Sequence, residues 1–133
     1  MARPTTAGER RRGRGFTLIE LLVVLAIVAL LLSLALPRYF RHLEAAKETV
    51  LRTNLRETRD LLDKYFADTG RYPDTLDELV TARYLHAVPY DPVTESTQTW
   101  VLVPPDDAAL GGVRDLHSGA TGAAADGTPW SQL

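Results

Sequence analysis

The sequence contains no cysteine, so neither a disulfide framework nor a thiolate metal site can form. It has no glycine-rich phosphate loop, and no two of its histidines, His42, His86 and His117, have the spacing of a helical zinc-binding pair. His117 precedes Ser118, but consecutive residues of a strand point to opposite faces and cannot form a nucleophile and base pair. We therefore do not expect an enzyme.

The chain also has little net charge, and that charge is unevenly distributed. The formal value is -2, yet residues 1–15 carry five arginines and one glutamate, a balance of +4, which leaves -6 for the remainder. Duplex binding depends on Lys and Arg neutralising phosphates, so the acidic remainder argues against a nucleic-acid partner. The basic cluster consists of Arg3, Arg10, Arg11, Arg12 and Arg14.

Apolar residues are concentrated in residues 16–36, where Glu20 is the one charged side chain. As a helix this run would be about 31 Å long, which matches the hydrocarbon core of a bilayer. Because the arginines precede it, the positive-inside rule places residues 1–15 in the cytoplasm and the body outside. The alternative is a secretory signal peptide cut near Ala35, but helical periodicity continues beyond Pro37, and we favour a transmembrane helix.

Glu20 is unusual because it lies just inside the apolar run. A carboxylate there would cost about 2.5 to 3.5 kcal/mol at the bilayer centre, so such groups usually mark function. In an isolated chain we expect Glu20 at the headgroup interface. In an assembly we expect it to pair with a buried cation.

Gly15, the following Phe-Thr-Leu-Ile-Glu segment from Phe16 to Glu20, the apolar helix and Pro37 resemble the amino terminus of type IV pilins and type II secretion pseudopilins. The resemblance covers about residues 10–40. It implies that a prepilin peptidase cuts between Gly15 and Phe16 and methylates the new amine. That amine could pair with Glu20 of a neighbouring subunit, since each buried charge would then be compensated. Phe16, Glu20 and Pro37 are thus the expected assembly residues.

Beyond the apolar run, Pro37 is expected to bend the helix rather than end it, because an apolar stripe continues to about residue 67. We predict an amphipathic helix over 37–67 that continues the one over 16–36. Its polar face offers four i,i+4 ion pairs. These are Glu48 with Arg52, Arg56 with Asp60, Arg59 with Asp63, and Asp60 with Lys64.

Residues 68–133 are predicted to form a small globular head. Gly70 suits the left-handed cap of the long helix, and a capping box of Thr75 and Glu78 begins a second helix over 76–83. The β-rich runs 99–103 and 113–116 predict an antiparallel sheet of two or three strands. The expected fold class is therefore α+β, with a long helix packed on a small sheet, the ladle shape of pilin-like subunits.

The head resembles that of the major pseudopilin in three places: Gly70 to Pro73, Tyr84-Leu85, and Val88 to Pro92. The resemblance is incomplete, because Val93 to Ser96 replaces the Trp-Gly that often follows in that family. It implies calcium bound in the carboxyl-terminal loop by Asp115, Ser118 and Asp126, and calcium favours such oxygen donors. The alternative is that Asp126-Gly127 is an ordinary turn pair.

The resemblance predicts a structural subunit that polymerises into a secretion pseudopilus and drives protein export. It implies a homopolymer that works with minor pseudopilins, a prepilin peptidase and an inner-membrane assembly platform. The protein would sit in the bacterial inner membrane with its carboxyl-terminal body in the periplasm. One alternative is a type IV pilus subunit for motility or adhesion, and another is a monomeric single-pass protein that presents a binding domain.

Overall fold

The structure is a computed structural model that describes residues 1–4, 8 and 13–133. Glu9 and three arginines of the expected basic leader, Arg10, Arg11 and Arg12, lie outside the described residues. The chain divides into two compact units, Met1–Arg38 and Tyr39–Leu133. The first helix contributes to both units.

Helix α1 comprises Leu18–Thr69, and its 52 residues include Pro37. The predicted continuation through the proline is confirmed, while the predicted bend remains a prediction. The helix ends two residues beyond the expected position, because Gly70 adopts a left-handed φ of 77° and its amide donates to the Phe66 carbonyl. Within the described part of the chain, α1 is the one helix long and apolar enough to cross a membrane.

The core of the second unit begins on one face of α1. Leu51, Leu55, Leu62 and Tyr65 recur at intervals of three, four and seven residues, so they lie on one side of the helix and are buried there. Earlier apolar residues of the helix, such as Tyr39 and Val50, are exposed. The other buried members of the same cluster are Leu76, Leu79, Trp100, Val113, Leu116, Ala124 and Trp130.

Helix α2 comprises Leu76–Thr81 and begins as predicted, with the Glu78 amide donating to the Thr75 hydroxyl at 3.3 Å. It ends two residues earlier than expected. The reason is a left-handed turn, because Arg83 has a φ of 64°. The amides of Tyr84 and Leu85 both donate to the Leu79 carbonyl and so close the helix end.

Strands β1 (Val101–Val103) and β2 (Asp115–His117) form a two-stranded antiparallel sheet in which Leu102 is paired with Leu116. The predicted α+β class is confirmed, but the second strand begins two residues later than expected. The amides of Gly112 and Val113 donate to the Pro73 carbonyl, so this segment pairs with another loop instead of with β1. Short 3-10 helices cover Ala108–Leu110 and Trp130–Gln132.

Candidate functional site

The start of α1 contains a reciprocal pair of hydrogen bonds. The Thr17 amide donates to Glu20 Oε2 at 3.0 Å, and the Glu20 amide donates to Thr17 Oγ1 at 3.2 Å. This arrangement is a capping box, which satisfies two amides that the first helical turn leaves without partners. Glu20 therefore has a partner within its own chain, placed at the positive end of the helix dipole.

The sequence contained the signal for this capping box, although the interpretation of Glu20 as an assembly residue did not use it. Thr17-Leu18-Ile19-Glu20 has the Thr-x-x-Glu spacing of the motif, immediately before an apolar run. The expected pairing of Glu20 with the amine of a neighbouring subunit remains a prediction.

The predicted cleavage position lies outside the helix. Residues 13–17 have no helical or strand structure, and the Phe16 side chain is exposed. A methyl group added at Gly15 would meet no atom within 4 Å. The bond between Gly15 and Phe16 is therefore in open backbone, which a processing enzyme can reach without unwinding α1.

Within the first unit, the apolar residues of α1 are not buried by any described part of the chain. Every described residue from 16 to 38 is exposed, and the large apolar side chains among them are about half exposed or more. An apolar surface of this extent is unstable in water and marks contact with lipid or with another protein. The first unit thus presents a surface that the single chain cannot bury.

The three residues expected to bind calcium contact three different partners. Asp115 Oδ1 accepts from Arg59 Nε at 2.7 Å, and Asp126 Oδ2 accepts from Arg52 Nη2 at 3.2 Å. Ser118 donates its hydroxyl to the buried Asp91. No hydrogen bond in the described chain joins these three residues to one another.

Each aspartate has a depressed pKa for an identifiable reason. Burial raises the pKa of Asp115, but hydrogen bonds from Arg59 and from the Leu116 amide outweigh it and the net pKa is lowered. The pKa of Asp126 is lowered mainly by the backbone amide of Thr128. Both carboxylates are thus held in the charged form by donors from the protein itself.

Asp91 is a buried carboxylate that sequence reasoning did not single out as a site residue. It accepts from the amides of Val93 at 2.8 Å and Thr94 at 3.2 Å as well as from Ser118. These bonds connect the loop that follows Tyr90 to the end of β2, and they supply donors to a polar group that would otherwise be costly to bury. Asp91 and Ser118 therefore have a structural explanation.

The donor set does not fit a calcium ion. Calcium takes about six to eight oxygen ligands, and it requires them to converge. In residues 1–4, 8 and 13–133 no group of three or more His, Asp or Glu side chains is placed to hold a metal ion. Calcium binding is therefore implied by the resemblance alone, and the arrangement of these residues does not support it.

The exposed Gly15–Phe16 bond and the capped start of α1 both lie in a segment that matches a known sequence family. Residues 10–36 match the family described as the prokaryotic N-terminal methylation motif. The chain carries this methylation motif. It includes Gly15, Phe16, Thr17 and Glu20, and it ends one residue before Pro37.

Similarity to named proteins extends beyond the methylation motif. The chain is 35% identical over 68 residues to the type IV major pilin protein PilA of Myxococcus xanthus, covering 51% of this chain and 31% of that protein. It is 37% identical over 67 residues to the type II secretion system core protein G of Pseudomonas aeruginosa, covering 50% and 47%. The protein of the same name from Klebsiella pneumoniae is 39% identical over 75 residues, covering 54% of each chain.

These alignments span about half the length, or less, of the curated relatives. No solved structure matches the chain. The comparisons therefore connect this chain to a type IV major pilin and to core protein G of type II secretion systems.

Proposed function

We propose that this chain is the precursor of a filament-forming structural subunit of a type II secretion pseudopilus. The observation that carries the proposal is the methylation motif at the start of a 52-residue helix whose first turns are entirely exposed. A lone helix of this kind is incomplete, since its apolar side chains need lipid before assembly and neighbouring subunits after it. Polymerisation through this helix would bury these apolar side chains against neighbouring subunits.

Processing by a prepilin peptidase is the first step of the proposed pathway. The enzyme would cut between Gly15 and Phe16 in the exposed backbone and would methylate the amine of Phe16. Cleavage places a cation one residue before the Thr17 amide, from which Glu20 already accepts a hydrogen bond. Glu20 of an adjacent subunit is the proposed counter-charge, because an unpaired charge buried between helices would be expensive.

The proposed location is the bacterial inner membrane, with the amino terminus in the cytoplasm and the second unit in the periplasm. The apolar run of α1 and the arginines that precede it support this orientation. The partners are further copies of the chain, minor pseudopilins, the prepilin peptidase and an inner-membrane assembly platform. The role is structural, with no catalytic step assigned to the protein.

A type IV pilus subunit is the second candidate. It is favoured by similarity to the Myxococcus xanthus pilin and to the type IV wide pilus major component PilA4 of Thermus thermophilus, which is 32% identical over 71 residues. The pseudopilus is favoured by the core protein G relatives and by the head segments 70–73 and 88–92.

Deletion of the gene separates the two candidates. A pseudopilin mutant is expected to retain exoproteins in the periplasm and to keep its surface pili, whereas loss of surface pili with normal export would overturn the proposal.

Mass spectrometry of the mature protein should find methylated Phe16 at its amino terminus. An unprocessed chain that begins at Met1 would instead favour a monomeric single-pass protein.

A further inference from the structure

The segment after β1 is fastened to α1 by two arginines. Arg59 Nε donates to Asp115 Oδ1 at 2.7 Å, and Arg52 Nη2 donates to Asp126 Oδ2 at 3.2 Å. The two arginines are seven residues apart, which is close to two helical turns, so they lie on the same face of α1. Both acceptors are aspartates to which the pseudopilin resemblance assigns a calcium ion.

We propose that the guanidinium groups of Arg52 and Arg59 take the place of a divalent cation and hold the carboxyl-terminal segment against α1. The two aspartates add negative charge to an acidic body, and either a metal ion or an arginine can offset that charge. In this chain the positive charge comes from the side chains of Arg52 and Arg59 on α1. The head is therefore complete without calcium.

The other hydrogen bonds that the two aspartates accept also support the replacement of calcium by arginine. Asp115 Oδ1 also accepts from the Leu116 amide at 2.7 Å, and Asp126 Oδ1 accepts from the Thr128 amide at 2.9 Å. The Ser118 hydroxyl accepts from the Ala120 amide while it donates to Asp91. Calcium could reach these oxygens only by breaking several such bonds and displacing two cations, since like charges repel.

Arg59 makes contacts that a compact cation or a lysine would not reproduce. Its Nη2 donates to the Leu116 carbonyl at 3.0 Å and to the Leu133 carbonyl at 2.6 Å, in addition to the bond from Nε to Asp115. One planar fork thus connects α1, β2 and the last residue of the sequence. The Arg59 and Asp115 side chains are each 34% exposed, so salt screens this pair only in part.

Arg52 is held in position by Glu48 on the same helix. Glu48 Oε1 accepts from Arg52 Nε at 3.0 Å, and its Oε2 accepts from the Ala125 amide at 3.3 Å. Glu48, Arg52 and Asp126 therefore form a short chain of alternating charges between α1 and the loop. This anchor is more exposed than the one at Arg59, because the Asp126 side chain is 55% exposed.

The test is thermal unfolding of the full-length protein in detergent micelles, in EDTA and with excess calcium chloride or magnesium chloride. We expect the melting temperature to be the same in all three conditions. A site that bound calcium only in the folded state would raise it by several degrees, since about 100-fold excess over Kd stabilises appreciably. A rise with calcium alone would overturn the proposal.

Substitutions test the arginines directly. Arg52→Gln and Arg59→Gln should each lower the melting temperature in EDTA and speed hydrogen exchange in residues 119–128. Arg56→Gln is the matched control, because the Arg56 side chain is exposed on the same helix and makes no hydrogen bond or ion pair within the described chain. If Arg59→Gln fails to fold, the more exposed Arg52→Gln still decides the outcome. Equal exchange in the Arg52→Gln and Arg56→Gln proteins would contradict the proposal.

Discussion

Glu78 accepts three hydrogen bonds from three different parts of the protein. Its Oε1 accepts from the Tyr65 hydroxyl at 2.7 Å and from Arg71 Nη2, and its Oε2 accepts from the Asp74 amide at 2.6 Å. The Tyr65 hydroxyl, the Asp74 amide and Arg71 together lower the pKa of Glu78 to about 2. One side chain thus ties α1, the following loop and α2 together.

We expect Glu78 to make the stability of the head sensitive to acid. Because the folded pKa is below that of the unfolded chain, the contribution is complete above about pH 4.5 and is lost as the pH falls toward 2. A depression of this size corresponds to at most roughly 3 to 4 kcal/mol. Urea unfolding of the full-length protein in micelles at a series of pH values measures it.

The variant Glu78→Gln should lower the free energy of unfolding by about 1 to 2 kcal/mol at pH 7. It should also make that free energy less dependent on pH in the acid range. Asp77→Asn is the control, since Asp77 lies in the same helical turn and its side chain is exposed. Identical pH profiles for wild type and Glu78→Gln would show that Glu78 is not the titrating group.

At the scale of elements, the two ends of α1 depend on different local chemistry. The start depends on the side chains of Thr17 and Glu20, whereas the end depends on the left-handed conformation of Gly70. Both signals are short-range, so the sequence predicts both ends to within a few residues. The start of β2 is different, because Gly112 and Val113 pair with Pro73, about 40 residues earlier in the chain.

We predict that Thr17→Ala frays the first turn of α1. Removing the hydroxyl leaves the Glu20 amide without its acceptor, at a cost of about 1 kcal/mol. NMR hydrogen exchange of the amides of residues 18–21 in micelles is the measurement, and exchange should be severalfold faster. Thr17→Ser keeps the hydroxyl and should preserve protection, while equal protection in Thr17→Ala would show that the cap is dispensable.

At the scale of the whole molecule, the buried core belongs entirely to the second unit. Every member of the hydrophobic cluster falls between Leu51 and Trp130, within the unit Tyr39–Leu133. The first unit has no buried residue among those described. Folding of the head and insertion of the apolar helix are therefore separable.

We predict that a fragment of residues 39–133 folds alone in aqueous buffer. It retains the complete core, so it should unfold in one cooperative transition. Its melting temperature should lie within about 5 °C of that of the same unit in the full-length protein. Circular dichroism during heating measures this. The control Leu62→Ala should lose about 2 to 5 kcal/mol by opening a cavity, and a fragment without a cooperative transition would contradict the prediction.

The sequence by itself determined the long helix, its apolar run, the methylation motif and the α+β class. These features depend on residues that are neighbours in the chain, such as the capping pair of Thr17 and Glu20 or the ion pair of Glu48 and Arg52. Of the four i,i+4 pairs expected on α1, this last pair forms in the described structure, whereas Arg59 turns to β2 instead of to Asp63.

Only the tertiary structure decided which groups face the aspartates of the carboxyl-terminal segment. Arg59 and Asp115 are 56 residues apart in sequence, and Arg52 and Asp126 are 74 residues apart. Their pairing depends on how β2 and the final loop pack on α1, and no local periodicity encodes that packing. The resemblance to the major pseudopilin placed Asp115, Ser118 and Asp126 in one calcium site, whereas the fold gives each of them a separate partner.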